Sequence, residues 1–361
     1  MVLSIKRDQA PKSLGKHMFR TLGLVLPMLA MGPSNGGAPA ALSSLTASPL
    51  AMAQATATTA ATTFTMPSIA APQVSSAACK AASTLRMTAT TPGISKLCVV
   101  DGNILVNGKD ASGFVMRDIK SQRYGPLMRG SNVQDLQVQR VSDTEARADA
   151  TLGLGLVNVS NGIGKASFHD LVWIGDKAHP AINSDDAWAA IALKGKDADD
   201  VGTFEINNFD FQNLFMNSGS YYQNVDGIST EGGYSGTITN GRVINASDAC
   251  LDIKGNVRAD NVYLSGCRQG IKAWTNQSHG LIELGTNRFV GIIGKGSKGV
   301  TRTITIDVLI ASGDPNVPLF RAEDGVVNLH IRRLIAKPGQ VLSASGSFSG
   351  SKVTIDQRMA I

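Results

Sequence analysis

Two short acidic turns carry the residues best suited to chemistry. One is Asn224-Val225-Asp226-Gly227 and the next is Ser247-Asp248-Ala249-Cys250; Arg268-Gln269-Gly270 follows at a similar interval. Asp and Gly favour turns, which place a carboxyl at the end of a strand. Laying one turn over the other aligns Asp226 with Ala249 and leaves Asp248 displaced by one residue. Two carboxyls so placed suit acid/base cleavage of a glycosidic bond, one donating a proton and one activating water, at the ~6.5–9.5 Å separation used in inverting hydrolysis. Arg268 falls over Asp248, where a guanidinium would instead hold that carboxylate ionised.

Two files of polar side chains flank these turns. Ser229, Asp252 and Lys272 form one; Lys194, Glu231, Lys254 and Trp274 form the other. Ammoniums and carboxylates suit an acidic or neutral oligosaccharide, and an exposed indole suits a sugar face. The same alternation also reads as an ion-pair ladder that keeps a protein surface hydrated. Tyr221 and Tyr222 lie in an insertion between Asn213 and Asp226, as stacking platforms or as a packed loop. A second insertion runs from Asp176 to Asp186.

The elements that must position these groups repeat along the chain. Residues 237–254 superimpose on 257–274 at a shift of twenty; 303–311 superimpose on 328–336 at a shift of 25, and 328–332 on 352–356 at a shift of 24. Each unit holds short alternating apolar runs broken by Asn, Asp or Gly, which is a strand signature rather than a helical one. Units of this length fit the windings of an all-β, right-handed parallel β-helix with an N-terminal cap. Such a solenoid stacks Ile228 over Leu251 over Ile271 inside, and Thr230 over Ile253 over Ala273. Their neighbours then face outward.

On these residues the chain, over about 100–361, resembles the pectin-lyase-like superfamily of right-handed β-helices. Asn224-Val225-Asp226-Gly227 and Ser247-Asp248-Ala249-Cys250 resemble the Asn-Thr-Asp-Gly and Gly-Asp-Asp-Cys pattern of polygalacturonases. That resemblance implies Asp248 as proton donor and Asp226 as a base. Ala249 stands where the family has its third Asp, and Gln269-Gly270 where it has His-Gly; Ser278-His279-Gly280 comes about nine residues later. Arg302-Thr303-Ile304 loosely matches the family's Arg-Ile-Lys. The superfamily's lyases imply a rival chemistry, proton abstraction beside a uronate carboxylate. Lys254, Lys272 or Arg268 would be the base, with Ca²⁺ on Asp226, Asp248 or Asp252. A non-catalytic glycan-binding or adhesion protein is the alternative of another class.

Composition narrows the setting. Of 361 residues, 43% are hydrophobic and 17% charged, which excludes a wholly disordered chain, and 38 glycines disfavour a helical bundle. The net charge of +6 is concentrated at the start: Lys6, Arg7, Lys12, Lys16 and Arg20 face only Asp8 within residues 1–53. The remainder lacks the basic surface that nucleic acid demands. The basic stretch and the apolar core from Thr21 to Met31 read as an export leader over 1–53, too short to anchor in a bilayer. An Ala/Thr/Ser-rich, disordered linker over 54–78 and a β-helix domain over 79–361 follow, in a secreted or periplasmic monomer. The cysteines suit an oxidising compartment, with Cys79–Cys98 clipping the cap. Cys250 and Cys267 either join neighbouring turns or remain buried thiols. No His/Cys cluster suggests a metal site.

Overall fold

The computed structural model describes residues 63–74, 79–80, 84–87, 93–99, 103–107, 113–121, 125–146, 155–161, 164–182, 189–195, 202–217 and 224–361. Their regular elements are all strands. A twelve-stranded sheet runs from Cys79–Lys80 to Val353–Ala360, and a ten-stranded sheet from Leu85–Met87 to Phe320–Glu323. A separate pair joins Ala181–Ile182 to Met216–Asn217. The chain alternates between the two long sheets and every strand pairing is parallel, as in a parallel β-helix: Tyr234–Ala246 belongs to the first, Ala249–Ile253 to the second, Asn256–Ser265 to the first again. No helix among the described residues is long and apolar enough to cross a membrane.

Stacked identical columns make this arrangement stable. Ile191, Ile228, Leu251, Ile271, Ile292 and Phe320 succeed one another in register down the second sheet, all essentially buried. Each such side chain contributes roughly 1.5–3 kcal/mol on leaving water. The column Thr230, Ile253, Ala273 also stacks in register. The shifts of 25 and 24 hold strand by strand. The shift of twenty holds only in the second sheet, where Leu251 pairs Ile271; in the first, Thr237 pairs Arg258 at twenty-one. The odd residue is taken up in the corner that contains the Cys250–Cys267 disulfide. Cys98 is also disulfide-bonded, and its register partner is Cys79.

The strands of the long sheet turn a second corner without losing their ladder. Seven successive windings place a residue with φ of 50–58° at the same level: Lys96, Asp118, Arg140, Asp170, Asn208, Asn240 and Asn261. Asn and Asp tolerate this left-handed conformation best, and four windings from Asp170 to Asn261 use only these two. Asn261 Nδ2 donates to Asn240 Oδ1 at 2.8 Å, and Asn208 Nδ2 to Asp170 Oδ1 at 3.3 Å. Arg140 grips Asp118 with two bonds of 2.6 and 2.9 Å, which holds that carboxyl below its ordinary range. Residues 63–74, whose composition reads as linker, contain neither strand nor helix and lie extended along this bend.

His279, the residue of the displaced Ser-His-Gly, is wholly buried and in register with Ile306, so it does not face a surface site. Its Nδ1 accepts the Ala259 N–H at 3.1 Å, and burial lowers its pKa from 6.5 to about 4. The unfolded chain therefore binds a proton that the native state refuses between 6.5 and about 4. Stability present above 6.5 is lost as pH falls through this window, by about 3 kcal/mol in all. A His279→Gln variant should show a flatter melting temperature between those limits than wild type. A decline as steep as that of wild type would assign the acid sensitivity elsewhere.

Candidate functional site

Four consecutive strands of the second sheet, Ala189–Lys194, Asp226–Thr230, Ala249–Ile253 and Gln269–Ala273, carry most of the site. Parallel register stacks Ala192, Ser229, Asp252 and Lys272 in one outward column. Two residues further along, Lys194, Glu231, Lys254 and Trp274 form the neighbouring column. There the Glu231, Lys254 and Trp274 amides each bond to the preceding winding. That column continues through Lys295 and Glu323, which pair in register. The apolar Gly291-Ile292-Ile293-Gly294 of that winding hid the continuation in the sequence.

Three carboxyls gather here: Asp226 opens its strand, Asp248 just precedes the next, and Asp252 is the fourth residue of that one. Asp226, Asp248 and Asp252 are 3, 5 and 5% exposed. Asp226 Oδ1 accepts the Ala249 N–H at 2.9 Å. Asp248 Oδ1 accepts from Gln269 Nε2 at 2.8 Å, and its Oδ2 lies 3.5 Å from Lys272 Nζ. Lys272 Nζ also lies 3.7 Å from Asp252 Oδ2, while Asp252 Oδ1 accepts the Trp274 indole N–H at 2.6 Å. One ammonium thus serves two carboxylates. Gln269 is thus a hydrogen-bond donor to Asp248.

Burial acts on two of these acids in the same direction. Burial pushes the Asp226 carboxyl well above its ordinary value, and the neighbouring charges of Asp252 and Asp248 push it the same way; the Ala249 N–H and Lys272 only partly oppose them. Asp252 is also raised, chiefly by burial, against the pull of Lys272, Lys254 and the Trp274 N–H.

Trp274 is surrounded by ammoniums. Lys254, Lys272 and Lys295 lie 5.6, 5.4 and 5.3 Å from its ring centre. Each also has an acidic partner: Lys254 with Glu231 at 2.7 Å, Lys272 as above, Lys295 with Glu323 and Asp324 at 3.1 and 2.6 Å. Glu231, Asp226, Asp252, Lys194, Lys254 and Ser229 line an open cavity of about 80 Å³, completed by Asn224, Ala192 and Leu193. This is a dent in a sheet face.

The remaining expected residues fall differently. The Arg268 guanidinium lies 5.6 Å from the Phe289 ring, whose centre is also 5.1 Å from Arg321, and the side chains that hold Asp248 are Lys272 and Gln269. The Arg268 backbone N–H bonds to the Asp248 carbonyl, 2.9 Å away. Arg302 reaches the Trp274 column from its far end, donating to the carbonyls of Trp274 and Lys295. Tyr221 and Tyr222 lie outside the described residues. Among the described residues no group of three or more His, Cys, Asp or Glu is arranged to hold a metal ion. No protein-family model, curated protein or solved structure matches this chain.

Asp226 makes a sign-specific prediction. Above 3.8 the unfolded chain loses the Asp226 proton while the native state keeps it, so this group lowers stability as pH rises toward its folded pKa. An Asn keeps an oxygen for the Ala249 N–H and has no proton to lose. Asp226→Asn should melt higher than wild type at neutral pH, with the gain vanishing below 3.8. A uniform loss of stability at every pH would contradict a protonated Asp226.

Proposed function

We propose that the protein is an exported, right-handed β-helix that cleaves glycosidic bonds of an acidic or plant-type polysaccharide laid across the Asp226–Lys272 cluster. The observation that carries this reading is the sharing of one lysine by Asp248 and Asp252 beside Asp226, whose carboxyl burial pushes well above its ordinary pKa. In this proposal Asp226 gives its proton to the leaving glycosidic oxygen. Asp248, engaged by Lys272 and Gln269, accepts a proton from the water that attacks the anomeric carbon. Exchange with solvent then restores both groups. These roles are the reverse of those implied by the polygalacturonase resemblance, because burial favours the protonated form of Asp226. Trp274 supplies a stacking face, while Lys194, Lys254 and Glu231 line the path beside it.

Elimination by a lysine base with Ca²⁺ has less support. Lys272 contacts both Asp248 and Asp252 and would have to leave them to take a substrate proton. A binding protein without turnover is the second reading, favoured by the pairing of Lys254, Lys272 and Lys295 with carboxylates. Membership of the pectin-lyase-like superfamily and a monomeric state belong to the same proposal.

The test is a broad panel of neutral and acidic glycans, read for new reducing ends and for unsaturated-uronate absorbance. Hydrolysis gives reducing ends alone, and elimination gives both. Asp226→Asn and Asp248→Asn should each lower turnover about 10²-fold or more while glycan binding persists. Binding without product by wild type would leave the adhesion reading in its place.

A further inference from the structure

The bend of the long sheet carries a second recognition surface. Residues 63–74 run along it as an extended strap: Phe64, Met66, Pro67, Ile69, Pro72 and Val74 are half-buried, whereas Thr63, Thr65, Ser68, Ala70, Ala71 and Gln73 are exposed. The strap is held at intervals through its backbone. Asn261 accepts the Thr65 N–H at 3.5 Å and donates to the Thr65 carbonyl at 3.3 Å, so one side chain reads both backbone polar groups of a single residue. Ala70 N–H donates to Asp170 Oδ1 at 3.3 Å and Gln73 N–H to Asp118 Oδ1 at 3.1 Å. Phe64 N–H donates to Glu283 at 3.4 Å.

The spacing of these bonds matches the pitch of the solenoid. From Asn261 through Asn240 and Asn208 to Asp170 is three windings, about 14 Å at roughly 4.8 Å each, against five residues of strap at about 3.2 Å each. From Asp170 through Arg140 to Asp118 is two windings, about 10 Å, against three residues. An extended chain therefore meets the αL column in step, whatever its sequence. Sequence enters at Phe64, whose ring stacks on Tyr263 at 5.8 Å and packs on a small cluster of Leu281, Val308, Ile310 and Ile335, separate from the main core.

We propose that the αL bend of the long sheet is a docking track for an extended peptide, occupied in cis by residues 63–74, which leave it well short of global unfolding. The contacts are few, long and largely solvent-facing, and only one large ring anchors them. Such segments open locally while the strands beneath stay paired. The kind of partner that fits is an extended peptide with an aromatic side chain just before the unit read by Asn261.

Hydrogen exchange on the wild-type full chain tests the docked state. The Thr65, Ala70 and Gln73 amides should exchange more slowly than in an unstructured peptide, yet at least tenfold faster than the amides of Val257–Leu264. Exchange at the unstructured rate, or only at the rate of the sheet, overturns the proposal. Peptide binding tests the track. A labelled peptide of residues 61–75 should bind a full-chain Phe64→Asp variant at least tenfold more tightly than it binds wild type, whose track is filled. The same peptide with its Phe replaced by Ser should lose that binding. Equal binding to variant and wild type, or indifference to the Phe, overturns a sequence-reading track even where the variant proves unstable.

Discussion

Parallel strands that stack without slipping determine everything at the Asp226–Lys272 cluster. Each winding lies about 4.8 Å above the last, so a side chain's neighbours are the residues at the same level of adjacent windings. Asp252 meets Lys272 because Leu251 and Ile271 pack beneath them in the same register. Slipping one strand by a residue would drive these charged groups into the core and expose isoleucines, a cost large enough to fix the register. The apolar columns therefore meter the distances between acids and ammoniums.

This constraint explains why the outward columns were legible. Ser229, Asp252 and Lys272 follow from aligning apolar neighbours, and Lys194, Glu231, Lys254 and Trp274 follow two residues on. Legibility ended where the period changed. A shift of twenty fits one sheet but not the other, because the corner at Cys250–Cys267 absorbs a residue. Arg268 stacks over Asp248 by backbone, yet its side chain goes to Phe289, a choice governed by a rotamer and a ring that spacing does not encode. Lys295 and Glu323 escaped notice because their winding shows little polar alternation.

The strap was hidden for a different reason. Its apolar residues Phe64, Met66 and Ile69 are sparse and unevenly spaced, set among Pro67, Pro72, Ala and Thr. Composition alone assigns such a stretch to linker. Its partner is the αL column, built from Asn and Asp at intervals of 21 to 38 residues over Asp170, Asn208, Asn240 and Asn261, and recognisable only once the windings are in register. His279 shows the converse: a residue that sequence likeness brings toward the chemistry is claimed by the core, where it can serve only as a neutral ring.

The unequal windings have a consequence for how this molecule can change. From Asp170 to Asn208 is 38 residues, yet the next turn from Asn240 to Asn261 is 21, and both keep the same level of the ladder. Extra length is thus expelled sideways at a corner and never along the axis. Even the outgrowths obey the rule, since Ala181–Ile182 and Met216–Asn217 stack in parallel as a miniature sheet of their own. Insertions at such corners would add surface beside the sheet, while the acids and lysines of the Asp226–Lys272 cluster kept their places.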